Sequence, residues 1–142
     1  MKRILVTGSG GIGGVNFVRA LKLFKNEFFI VGTDFNKYYL QFADLDQRVI
    51  SPRHSDPNFI SLLNKLTEQH KIEFLHPQPS SEALVVSQNL DKISTKTLLP
   101  SPNIISNDKL VMSKITSNKL KAIFNYSSHF KSINLIFKRV FK

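Results

Sequence analysis

Five glycines fall within seven residues directly after the first apolar run of the sequence. They belong to the stretch VTGSGGIGGVNF, residues 6–17, and an acid, Asp34, follows the next apolar run. Glycines allow a tight turn and a close approach of a ligand to the backbone, and a helix after such a loop offers N–H groups to an anion. An acid at the end of a second strand could accept hydrogen bonds from a ribose. The pattern predicts an anion-binding loop, although the glycines could also serve only close packing of a strand on a helix.

The glycine loop fits two nucleotide-binding patterns at once. They are G-x-G-x-x-G and T-G-x-x-G-x-x-G, the latter seen in extended short-chain dehydrogenases and epimerases. One interpretation is therefore an NAD(P)-binding module of that type, although no tyrosine is followed four residues later by a lysine, and no lysine with serine or threonine follows the glycines as in a P-loop. The matching residues are Gly8, Gly10 and Gly13 for the first pattern, and Thr7, Gly8, Gly11 and Gly14 for the second.

Short apolar runs alternate with amphipathic segments along the first hundred residues. Alternation of this kind indicates βαβ units, and so predicts an α/β fold: a Rossmann-like open parallel sheet of about five strands with flanking helices, with ligands at the carboxyl ends of the strands. Asp56 as N-cap and Pro57 as first helical residue predict the start of one helix. The predicted strands cover residues 3–7, 28–33, 47–51, 71–77 and 96–100.

Composition and charge narrow the classes of partner and compartment. The chain has 142 residues, the length of one domain, and no cysteine, which is compatible with a reducing interior, so we expect a cytoplasmic protein. Residues 1–91 carry ten basic and nine acidic side chains, whereas residues 92–142 carry ten basic side chains and one acid, Asp108. The confinement of the net positive charge to the C-terminal part argues against a nucleic-acid partner. A membrane surface is also not the expected partner, although a helical tail would align apolar residues on one face.

Three longer stretches resemble the N-terminal, pre-ATP-grasp domain of ATP-grasp ligases, in the branch of carbamoyl-phosphate-synthase-like proteins. They are KRILVTGSGGIGGVNFVRAL, FFIVGTDFNKYYLQFADLDQRVISPRHSDPNFISLLNKL and IEFLHPQPSSEALVVSQN. The resemblance implies a Rossmann-like domain that binds no dinucleotide and whose strand ends face an active site shared with the ATP-grasp domain. Asp34 could instead only cap a turn before Asn36. The residues that the resemblance places on the substrate side are Gly8, Ser9, Gly10, Gly11, Gly13, Gly14, Asp34, His76, Pro77, Gln78, Pro79 and Glu82.

The same resemblance implies the substrate-side part of an ATP-dependent carboxylate-amine ligase. A small-molecule substrate is then the expected ligand, and ATP and magnesium belong to the ATP-grasp half, which a separate polypeptide could supply. We expect a pre-ATP-grasp domain over residues 1–102. Residues 103–142 include NDKL at residues 107–110, which is similar to the start of the first ATP-grasp helix, but contain no glycine or proline, so we expect a truncated or frameshifted product. Because Asp108 is the only acid beyond Lys92, we expect no magnesium site there and no ATP hydrolysis.

Overall fold

The computed structural model describes residues 1–102, which form a five-stranded parallel sheet with helices on both faces. This confirms the predicted Rossmann-like α/β fold. The predictions for residues 103–142, including the helix start at NDKL and the apolar face of the tail, lie outside the described residues. The elements are β1 Lys2–Thr7, α1 Ile12–Lys22, β2 Phe28–Asp34, β3 Gln47–Ile50, α2 Phe59–His70, β4 Phe74–Pro77, α3 Ser80–Gln88 and β5 Lys96–Thr97, with short 3-10 turns at Tyr39–Gln41 and Leu90–Lys92.

The order of the strands in the sheet is β3-β2-β1-β4-β5, and every neighbouring pair is parallel. The chain moves outward from β1 to β3 and then returns to place β4 on the other side of β1. The connections that leave β1 and β4 therefore diverge, and they open a crevice at the carboxyl ends of these two strands. Open α/β sheets bind ligands in such a crevice.

Two apolar clusters cover the two faces of the sheet, because alternate side chains of a strand point to opposite faces. Leu5 belongs to the cluster beneath α2 and α3, whereas Ile4 and Val6 belong to the cluster beneath α1. Thr7 continues the Leu5 face, and its register partner in β2 is Thr33. The buried members are Leu5, Val31, Phe59, Leu63, Leu66, Ile72, Leu75 and Val86 on one face, and Ile4, Val6, Val18, Ile30, Leu40, Ala43 and Leu45 on the other.

The start of α2 differs from the prediction. The helix begins at Phe59 with Asn58 as its N-cap, so Asp56 and Pro57 lie in the turn before it. The Asp56 carboxylate accepts the Asn58 N–H at 2.8 Å, and its carbonyl accepts the Phe59 N–H at 3.0 Å. Asp56 thus closes a local turn, as aspartates often do in competition with a helix N-cap. Among residues 1–102, no helix has the length and apolar character needed to cross a membrane.

Candidate functional site

A pocket of about 340 Å³ opens at the carboxyl end of the sheet, at the crevice between the β1 and β4 connections. This volume is in the range of small-molecule sites. The glycine loop forms one wall, the start of α3 forms another, and residues that follow β2 and β3 complete it. The lining residues are Gly8, Gly11, Asp34, Phe35, Tyr39, Arg53, His54, Pro79, Ser81 and Glu82.

Contacts within the protein require three of the loop glycines, Gly8, Gly10 and Gly14, whereas a side chain on Gly13 would meet the flexible end of Gln78. Gly8 has φ +56°, and a Cβ there would collide with the Pro79 ring. A Cβ on Gly10 would collide with the backbone of Tyr39, and one on Gly13 would collide with the Gln78 amide group. A Cβ on Gly14 would lie 2.5 Å from the Gly8 carbonyl oxygen and 2.6 Å from Ser9 Cα. Close packing therefore explains most of the glycine pattern without any ligand.

Gly11 is the exception in this loop. Among residues 1–102, a Cβ built on it would have only the Gly8 carbonyl oxygen within 4 Å, at 3.5 Å, and its φ of −72° is open to any residue. Gly11 is also the N-cap of α1 and lines the pocket. The first N–H groups of a helix have no partner within it, and no side chain from the described part of the chain caps this end. The glycine at this position keeps the backbone of the helix start accessible from the pocket.

Asp34 ties the end of β2 to the glycine loop. Its side chain is 4% exposed, Oδ2 accepts the Gly10 N–H at 3.2 Å, and Oδ1 accepts the Asn36 N–H at 2.9 Å. The turn before Asn36, which the sequence analysis gave as the alternative role of Asp34, is thus formed. Asp34 also accepts the hydrogen bond from Gly10 of the glycine loop. A carboxylate oxygen has more than one acceptor site, so Asp34, which also lines the pocket, can still accept a ligand hydroxyl.

Glu82 lies in the first turn of α3 and is buried, with 5% of its surface exposed. Burial raises the pKa of its carboxyl above the ordinary value of 4.5; the Thr7 hydroxyl opposes this rise, and the charge of Asp34 adds to it. The Thr7 hydroxyl is near the carboxyl, but neither Thr7 Oγ1 nor Glu82 Oε2 makes a hydrogen bond of normal geometry with any group in residues 1–102. This is the least satisfied acid of the pocket.

His76 and Gln78 form a pair beside the pocket and do not line it. His76 Nε2 lies 2.8 Å from Gln78 Oε1, and since an amide oxygen only accepts, Nε2 carries the proton. The His76 ring stacks on Phe17 of α1, with 3.9 Å between centroids. This bond turns the Gln78 amide nitrogen toward Gly13 at the start of α1. The pair thereby connects the end of β4 to α1.

The residues that the resemblance assigned to the substrate side separate into two groups in the structure. Gly8, Gly11, Asp34, Pro79 and Glu82 come together in the pocket. Ser9 is fully buried, where both its N–H and its hydroxyl donate to the Thr33 carbonyl, at 3.0 and 3.2 Å. The others are used in packing or in the contacts described above: Gly10, Gly13, Gly14, His76, Pro77 and Gln78.

Five pocket residues were not predicted from the sequence. The Arg53 guanidinium lies 4.1 Å above the centroid of the Phe35 ring, so a cation and an aromatic side chain form one edge of the pocket. His54, Tyr39 and Ser81 complete the lining. The position of Phe35 directly after Asp34 was a usable signal, because residues after a strand lie at the binding edge. Arg53 and His54 follow the edge strand β3 in a loop, and nothing in their local pattern marks them.

In residues 1–102, no group of three or more histidine, aspartate or glutamate side chains could hold a metal ion. No protein-family model and no curated protein matches the chain. Among solved structures, the chain is similar to dTDP-glucose 4,6-dehydratase from Bacillus anthracis in complex with NAD, with 15% identity and a TM-score of 0.48. The match covers 91% of this chain and 51% of that protein, so the chain spans about half of its length. A likeness at this level carries no argument about function.

Proposed function

We propose that the domain of residues 1–102 is a nucleotide-binding module of the nicotinamide-dinucleotide type. The observation that carries the proposal is the position of the pocket, at the point where strand order reverses between β1 and β4, with the glycine loop on its wall. Dinucleotides bind at this point in sheets of the same order.

The residues of the pocket fit the chemistry of such a ligand. The uncapped start of α1 behind Gly11 offers N–H donors and the positive end of a helix dipole, which suit a pyrophosphate. Asp34 at the end of β2 offers a carboxylate to ribose hydroxyls. Phe35 and the Arg53 guanidinium beside it offer flat surfaces on which a base can stack. NAD or NADP would supply hydride chemistry when bound, and these residues would bind and orient it.

Calorimetry of the full chain with NAD, NADP and ATP tests this proposal. Gly11→Val is the informative variant, because its side chain would project into open pocket space rather than into the protein. We expect NAD or NADP binding to weaken at least about tenfold in Gly11→Val while the unfolding midpoint stays close to that of the parent chain. Gly10→Val is unsuitable, since its side chain would collide with the Tyr39 backbone. Equal dinucleotide affinity in the parent and Gly11→Val would contradict the proposal.

A second candidate is the substrate-side domain of an ATP-grasp ligase of the carbamoyl-phosphate-synthase-like type. The observation that favours it is the second wall of the pocket, where Pro79, Ser81 and Glu82 come from the HPQPSSE segment that carries the resemblance. A dinucleotide does not require a buried acid at this position. This candidate predicts that the folded chain gives no binding heat with NAD or NADP, so the same calorimetry separates the two.

A further inference from the structure

Glu82 is a buried acid that forms no ion pair within residues 1–102. Its side chain is 5% exposed and lines the pocket, and Oε2 lies 3.6 Å from the position that a Cβ on Gly8 would take. Oε2 has no hydrogen-bond partner among residues 1–102. Buried carboxyl groups are normally paired or hydrogen-bonded, because an unpaired one loses its solvation without compensation.

A second buried polar group, the Thr7 hydroxyl, lies beside the Glu82 carboxyl, and its interaction with that carboxyl lowers the pKa of Glu82. The Thr7 hydroxyl is completely buried, is close enough to the Glu82 carboxyl to affect its ionisation, and likewise has no partner within the described part of the chain. A hydroxyl at the end of β1 could have been satisfied by a strand or helix carbonyl, as the Ser9 hydroxyl is. Two neighbouring orphaned polar atoms of different chemical types indicate that a group from outside completes the site.

The charges around these atoms decide what kind of group fits. The charge of Asp34 disfavours the ionised form of Glu82. Arg53 and His54 line the same pocket, but neither forms an ion pair with Glu82 or Asp34; within residues 1–102 the ion pair is Lys22 with Asp46. The Arg53 guanidinium instead lies over Phe35. Two acids that form no ion pair within residues 1–102, together with a hydroxyl, make a site that is electrostatically complementary to a cation.

We propose that Glu82, together with Thr7 and Asp34, binds a primary ammonium group of a small-molecule ligand. An ammonium group has three N–H donors and one positive charge, which match the acceptors that these three side chains provide. The ammonium site lies on the α3 wall of the pocket, and Asp34 is the residue that it shares with the nucleotide proposed for the α1 wall. It defines the second ligand of the pocket as an amine.

The test is an NMR titration of the ¹⁵N-labelled full chain with ethylammonium chloride at neutral pH. Ethanol is the neutral control of similar shape, and sodium chloride controls for ionic strength. We expect saturable shifts of the amide signals of pocket residues such as Gly8, Gly11 and Ser81 with ethylammonium, and no saturable shifts with either control. Equal shifts with ethanol or sodium chloride would overturn the proposal.

Two variants and a matched control assign the binding to the orphaned atoms. Glu82→Gln should weaken ethylammonium binding at least about tenfold, and Thr7→Val, which keeps the shape of the side chain, should weaken it about threefold to tenfold. Glu68→Gln removes the same charge from an exposed position of α2 and should leave the affinity unchanged. Unchanged affinity in Glu82→Gln or in Thr7→Val overturns the proposal. Because no nucleotide is present, the result is independent of NAD or NADP binding.

Discussion

The two walls of the pocket differ in how completely their polar groups are paired. On the α1 wall, Ser9 bonds twice to the Thr33 carbonyl, and the Gly10 N–H is held by the Asp34 carboxylate. On the α3 wall, a buried oxygen of Glu82 and the neighbouring Thr7 hydroxyl make no hydrogen bond of normal geometry within residues 1–102. The groups of the α1 wall therefore serve mainly to pack the loop against the protein, and Gly11 is the position where a side chain would meet open space. The α3 wall keeps a group whose hydrogen bonds the described protein does not provide, which is the better indicator of a ligand.

The largest difference in stability is expected between Gly14→Ala and Gly11→Ala. The new methyl group at position 14 would lie 2.5 to 2.8 Å from backbone atoms of Gly8 and Ser9, which cannot move independently of β1. We expect a loss of about 3 kcal/mol in the free energy of unfolding, measured by denaturant titration. Gly11→Ala should stay within about 0.5 kcal/mol of the parent chain, because a methyl group there meets open space. Similar losses of unfolding free energy in both variants would show that the protein surrounds Gly11 as closely as it surrounds Gly14.

Asp34→Asn tests the pairing on the α1 wall. The amide can accept through one oxygen only, so its nitrogen would face either the Gly10 N–H or the Asn36 N–H, both of which now donate to a carboxylate. We expect a loss of about 2 kcal/mol in unfolding free energy. Asp91→Asn is the control, because Asp91 is exposed in the 3-10 turn after α3. A neutral effect of Asp34→Asn would mean that its two backbone bonds do not hold the loop.

Glu82→Gln should raise the free energy of unfolding, whereas Asp34→Asn should lower it, and the effect of Glu82→Gln should be the smaller of the two. The pKa of the Glu82 carboxyl is raised by burial, so near neutral pH the unfolded chain ionises this group more readily than the folded chain does. Glu82 therefore lowers stability as pH rises through its folded-state pKa, and the neutral amide removes that loss. We expect Glu82→Gln to be about 1 kcal/mol more stable than the parent chain at neutral pH, as measured from chemical denaturation.

The pH dependence of the Glu82→Gln effect identifies its cause. Below the ordinary pKa of 4.5, Glu82 is protonated in both the folded and unfolded states, so the advantage of the amide should disappear there. Glu68→Gln, at an exposed site, should show no such profile. A Glu82→Gln effect that is constant from acid to neutral pH would assign the change to packing and not to the charge of the carboxyl.

The sequence predicted the α1 wall better than the α3 wall. Glycines at fixed spacing between a strand and a helix give a local signal, and Asp34 follows from the end of the second strand. Glu82 was identified only through a family resemblance, and its orphaned oxygen could not be predicted because it depends on the surrounding side chains. Arg53 was missed for a related reason: its contact with Phe35 joins the ends of two strands that are separated along the chain.

By itself, the sequence determined the order of strands and helices, the parallel α/β class and the position of the turn after β1. These follow from apolar periodicity and from the conformational freedom of glycine, both of which act over a few residues. Only the tertiary structure decided that β4 lies beside β1, so that Pro79 packs on Gly8 and Glu82 is buried next to Thr7. It also decided at which loop glycines a side chain would collide with neighbouring residues, and that at Gly11 it would meet open space. Burial and hydrogen-bond satisfaction depend on neighbours from distant parts of the chain, and a local pattern carries no information about them.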